Sequence, residues 1–144
     1  MGKYFLKLFL RYSVAIGFLS ACADRFGMWD ASLSAWGSWP SFVEYTGVLN
    51  PWMPESVIPL VAAIVTSIEL IVAICLIVGY KTELAAKVGG VLLLVFALSM
   101  AFTVGVKKVL DFSVLLAAGA SFAIGLIKEK YFEVDSVLSE RYRN

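Results

Sequence analysis

Histidine is absent from this chain of 144 residues. That absence excludes bis-histidine haem, histidine-ligated zinc or iron, and any catalytic triad with imidazole as its base. No metal site is expected. Cysteine is scarce: Cys22 and Cys75 are the only two, and no CxxC pair occurs. They fall near opposite ends of their apolar runs, which sets them apart in depth by roughly 20 Å at 1.5 Å per helical residue. A disulfide needs Cα atoms within about 7 Å, so none is expected, and both read as small buried apolar side chains. Charge is thin too. Only 16% of residues are charged and the net charge is +1. No basic stripe appears, so nucleic acid is not an expected partner.

What the chain has is apolar length. Hydrophobic residues make up 60% of it and the mean hydropathy is +0.86, whereas soluble domains run at about 45–50%. Four apolar runs stand out, at 5–23, 57–79, 84–104 and 110–127, each near the ~20 residues that cross a hydrocarbon core. The expected fold is all-α: an integral membrane four-helix bundle of one domain, with the lipid bilayer as its first partner. The tail 128–144 alternates charge with Tyr131, Phe132, Val134, Val137, Leu138 and Tyr142, and reads as an amphipathic cytoplasmic helix. Leu19-Ser20-Ala21-Cys22 mimics a lipoprotein box, but the first run is read as a retained span.

Basic residues orient the bundle. If the chain crosses four times, Lys3, Lys7, Arg11, Lys81, Lys87, Lys128, Lys130, Arg141 and Arg143 share one side. Only Arg25, Lys107 and Lys108 fall on the other. Positive-inside bias then puts both termini in the cytoplasm. The connection between the first two spans lies outside. It holds all four tryptophans, Trp29, Trp36, Trp39 and Trp52, and is expected at the membrane interface or capping the bundle, where an indole keeps its N–H wet. Within it, Ser38-Trp39-Pro40-Ser41 predicts a short helix through Tyr45, ended by Gly47.

The second run carries Glu69 near its middle, where a carboxylate must be protonated, paired or facing a wet cavity. Helical spacing places Ala62, Thr66, Glu69, Ala73 and Leu76 on one stripe of that run, and Arg11, Ala15, Phe18, Cys22 and Arg25 on one stripe of the first. Both stripes mix charge with small side chains, as surfaces facing a bundle interior do. Arg11 is expected to reach Glu69 directly or through a water, and these two are the candidate catalytic pair. Candidate ligand contacts are Arg11, Phe18, Cys22, Arg25, Thr66, Glu69, Trp36 and Asp111. Asp24-Arg25 and Asp111 would form a second polar cluster beneath the tryptophan loop.

The early arginine of the first span, the Asp24-Arg25-Phe26-Gly27 exit, the tryptophan-rich loop closing on Leu49-Asn50-Pro51, and Thr66-Ser67-Ile68-Glu69-Leu70 running to Gly79 together resemble the DoxX family. So does Leu93-Leu94-Val95-Phe96-Ala97-Leu98-Ser99-Met100. The resemblance covers roughly Arg11 to Gly125. It implies a four-span protein of bacterial inner membranes and, for a few members, association with thiosulfate:quinone oxidoreductase or with partners that handle thiols and superoxide. Related four-span families that exchange disulfides use paired cysteines, which this chain lacks. The expected function is therefore a redox-associated membrane subunit holding a quinone-like or other small apolar ligand between its first two spans. The alternatives are a non-enzymatic scaffold for a partner complex and, behind it, a small-solute transporter. A homodimer is compatible with Gly89-Gly90 and with the small residues of the fourth span.

Overall fold

The computed structural model describes residues 2–130 and 132–136. Six α-helices are delimited among the described residues: α1 (Gly2–Arg25), α2 (Trp39–Leu49), α3 (Ile58–Val78), α4 (Thr82–Thr103), α5 (Val106–Asp111) and α6 (Val114–Leu126). No strand occurs among the described residues. The stretches Gly2–Arg25, Glu55–Val78 and Thr82–Thr103 are long and apolar enough to cross a membrane. Ile64, Ile71 and Ile74 of α3 and Val91, Val95 and Leu98 of α4 stay exposed. The result is a membrane helical bundle whose outer faces suit lipid.

Each long helix starts and stops for a local reason. In α3, Pro59 stands in the first turn, where its missing N–H costs nothing. Gly79 ends that helix at φ +72° and donates its N–H to the Cys75 carbonyl, a left-handed cap that favours glycine. The N-terminus of α4 is capped from far along the chain: the Asp135 carboxylate accepts from the N–H groups of Lys81 at 2.8 Å and Thr82 at 2.9 Å. α4 and α6 then approach closely through small residues. A Cβ on Gly90 would lie 2.7 Å from the Phe122 ring, and the buried Ser121 hydroxyl donates to the Ala86 carbonyl at 2.7 Å. Small side chains at the contact allow such packing in lipid.

The fourth apolar run differs from its expected form. Residues 110–127 are not one span. The Lys107–Lys108 turn is itself helical as α5, Ser113 adopts φ +55°, and α6 begins only at Val114. Its 13 residues rise about 20 Å, short of a hydrocarbon core of about 30 Å. The core divides accordingly. One cluster joins α1, α3, α4 and α6 through Val14, Phe18, Val72, Leu76, Ala86 and Ile124. The other surrounds Leu49 with Ala97, Met100, Val109 and Val114, so α2 fills the space beyond the end of α1.

Two further corrections concern the ends. The loop helix runs through Gly47 to Leu49, with Ser38 accepting from the Ser41 N–H as its N-cap. Residues 128–130 are not helical whereas residues 134–136 are, and residues 132–136 lie across the ends of α1, α3 and α4. Glu133 is buried and ion-paired with Lys7 at 2.7 Å. The remainder of the expected tail helix, 137–144, lies outside the described residues.

Candidate functional site

α1 and α3 run antiparallel, so position along one fixes the partner on the other. Cys22 of α1 faces Glu69 and Thr66 of α3, whereas Arg11 faces Leu76 and Ile77. Arg25, the last residue of α1, folds back to Glu69. Its two terminal nitrogens take the two carboxylate oxygens, Nη1 on Oε2 and Nη2 on Oε1, the latter at 3.1 Å. Nη1 also donates to the Thr66 hydroxyl at 2.7 Å, and the Cys22 thiol lies 3.7 Å from Glu69 Oε2. Arg25 is 2% exposed and Glu69 8%. A buried pair of this kind persists because each member satisfies the other.

The expected pairing of Arg11 with Glu69 is therefore corrected. Arg11 is fully buried, but it donates from Nε to the Leu76 carbonyl at 2.9 Å, from Nη2 to Ile77 at 3.1 Å and from Nη1 to Phe132 at 3.1 Å. Glu133 stands 3.6 Å away. A guanidinium at a helix C-terminus meets the last carbonyls and the negative end of the helix dipole. Leu76 lies two turns beyond Glu69, about 10 Å along the axis, which is why Arg11 does not reach the carboxylate. Asp111 is the second correction. It sits on exposed α5, paired with Lys107 of its own helix at 2.6 Å, and is no part of an outer cluster with Arg25.

A layer of aromatic rings covers the pair. The Arg25 Cζ stands 3.8 Å from the Phe42 ring centre and 5.3 Å from Trp36. Trp36 meets Phe42 edge-on at 5.2 Å and Tyr45 at 5.9 Å. Cation–π contact at this distance strengthens when water is excluded. Asp24 holds the layer in place: its carboxylate accepts from the successive N–H groups of Ala35, Trp36 and Gly37 at 2.9, 3.1 and 3.2 Å. Trp36 is half-buried in this layer, while Trp29 and Trp52 are exposed.

Beside the pair opens a cavity of about 720 Å³. Arg25, Glu69, Trp36 and Phe42 form its polar end, and Phe18, Leu93, Phe96 and Val114 are among its apolar walls. On α1 the wall follows Phe9, Ser13, Gly17, Ala21 and Arg25, one residue per turn over about 24 Å. Ser13 and Gly17 are exposed, so the cavity reaches the lipid-facing side of α1. No family model, characterised protein or solved structure matches the chain.

The structure thus gathers Phe18, Cys22, Arg25, Thr66, Glu69 and Trp36 about one place and leaves Arg11 and Asp111 elsewhere. Phe42 was missed by sequence reading. Its signal was available in the i, i+4, i+7 spacing of Phe42, Thr46 and Leu49, all of them buried. Thr46 and Leu49 also line the cavity.

Proposed function

We propose that the protein is a redox-associated membrane subunit that holds a quinone-like or other small apolar ligand beside the Arg25–Glu69 pair. The cavity of about 720 Å³ carries this reading. Its volume is within the range of small-molecule sites, about 300–1,000 Å³. Its walls are mostly apolar, its charged pair stands at one place on them, and only neutral groups such as Ser13, Asn50, Ser99 and Ser113 lie elsewhere along them, which suits a molecule with a compact head and an apolar body. The flank at Ser13 and Gly17 supports entry from the bilayer. Arg25 takes the place first expected of Arg11 as the group beside a ligand oxygen. Glu69 is the candidate proton donor or acceptor.

The resemblance to the DoxX family supports the same reading and the four-crossing topology, with α5 and α6 together as the last crossing. On that topology both termini are cytoplasmic in a bacterial inner membrane, and the connection carrying α2 lies outside. The test is binding and redox turnover of decylubiquinone in detergent, wild type against Glu69→Gln. Binding that weakens in the variant supports the proposal. Absence of binding, or binding indifferent to the change, removes it and leaves the scaffold reading, for which exposed Met28, Trp29 and Trp52 form a candidate partner surface.

A further inference from the structure

We propose that water reaches the cavity beside Glu69 from the α2 end of the bundle, across a two-residue partition of Asn50 and Met53, and that the opposite end is sealed. This rests on reading Glu69 as a proton donor or acceptor and adds the side of the protein with which it exchanges that proton.

A second hollow of about 410 Å³ lies between α2 and the start of α3. Asn50 and Met53 belong to its wall and also to the wall of the larger cavity, so the two spaces stand back to back. The hollow faces water. Glu44 and Glu55 on its rim are exposed and make no ion pair among the described residues, and hydration keeps an unpaired carboxylate out of lipid tails. The partition is thin. It is one turn of chain, closed by the Met53 N–H on the Asn50 carbonyl at 3.0 Å. Met53 is half-buried, and its unbranched thioether, with three rotatable bonds, shifts aside at low cost.

Polar groups of the larger cavity continue that route. Thr46 and Asn50 of the returning loop, Ser99 near the end of α4 and Ser113 before α6 all line it. All four lie at the α2 end, next to the cluster of Leu49, Met100 and Val114. Of the wall's hydroxyls only Ser13 is elsewhere. Water persists in such a place because each molecule finds several polar partners. The opposite end offers no such path. Beyond Glu69 along α3 come Ala73 and Leu76, both fully buried. The fully buried Arg11 guanidinium then closes on the Leu76, Ile77 and Phe132 carbonyls. Two apolar turns with a capped end leave nothing for a chain of water to bond.

X-ray radiolysis footprinting tests this with water itself as the probe. Hydroxyl radicals formed in place oxidise the side chains that water touches, and mass spectrometry reads each one. The whole protein is irradiated in lipid nanodiscs. Phe96, on the cavity wall, is expected to be oxidised and Leu76 to stay intact. Met53→Trp thickens the partition and is expected to abolish oxidation of Phe96 while that of exposed Trp52 is unchanged; Met53→Phe serves where the tryptophan variant does not fold. An intact Phe96 in the wild type, oxidation of Leu76, or oxidation of Phe96 indifferent to the Met53 change overturns the inference. Decylubiquinone binding, measured on the same samples, separates this inference from the proposed function. Phe96 oxidation that obeys Met53 without quinone binding supports the water route and removes the ligand. Quinone binding with an intact Phe96 keeps the ligand and removes the route.

Discussion

Arg25 and Glu69 meet fork to fork, two guanidinium nitrogens on two carboxylate oxygens, with Phe42 pressed on the guanidinium face. The contact links the last residue of α1 to the middle of α3 and anchors the returning loop, because the same arginine touches Trp36. One side chain therefore ties three separate stretches of chain together at the head of the cavity. Removing it disturbs a helix pair, a loop and a binding site at once.

A double-mutant cycle measures that tie. Truncating either Arg25→Ala or Glu69→Ala leaves a buried charge alone and is expected to cost about 3–5 kcal/mol. The double variant should cost clearly less than the two singles together, with an interaction of about 1–3 kcal/mol. Reversible unfolding in mixed micelles gives all three values. Additive losses would show that the two residues act independently.

The opposite end of the bundle is held by a different device, and Gly79 is its weak point. A Cβ there would come within 2.5 Å of Glu133 Cα and 2.7 Å of Arg11 Nη2, and the residue already has φ +72°. Gly79→Ala is expected to lift residues 132–136 from α3 and, by freeing the backbone beside the already exposed Lys128 and Lys130, to speed tryptic cleavage there. Gly119→Ala, where a Cβ meets nothing within 4 Å, serves as the control with unchanged cleavage. Equal digestion of both variants would rule out the docked segment as the source of protection.

The two interior stripes were legible in the sequence, because helical spacing alone marks them. Every residue of both, from Arg11 to Arg25 and from Ala62 to Leu76, is buried. Which arginine serves Glu69 was not legible. A shared face gives direction but not depth, and Arg11 found the carbonyls at the end of α3 before it could approach the carboxylate. Asp111 was misplaced because the break at Ser113 rests on one left-handed residue that no glycine announces. Glu133 and Asp135 act on helices more than fifty positions earlier, contacts that no local pattern encodes.

Acid should loosen that same segment. The Glu129 carboxyl lies beyond the spans and is held below the ordinary carboxylate range, chiefly by its own backbone N–H and next by the Lys3 ammonium. A depressed folded value means that its contribution is present above the unfolded value, about 4.3, and is lost as pH falls through the folded one. The effect is small because the group is solvent-screened. Midpoint temperatures recorded between about pH 3 and pH 6 should fall less steeply for Glu129→Gln than for the wild type. Identical slopes would assign the acid sensitivity elsewhere.

Gly17 offers a way to close the cavity without touching its polar end. It lies on the α1 wall beside Ser13 and Ala21, and open space surrounds its Cβ position. Gly17→Leu therefore meets no packing clash, and the change favours the helix, since an interior glycine costs about 1 kcal/mol relative to good helix formers. The new side chain would occupy the path that an apolar tail must take along α1. Thermal stability in detergent should stay level or rise, while decylubiquinone affinity drops at least about tenfold, the loss expected when two or more methylene contacts are denied. The opposite pattern, weakened stability with binding intact, would mean that the wall at Gly17 packs against protein and that the ligand's body lies elsewhere.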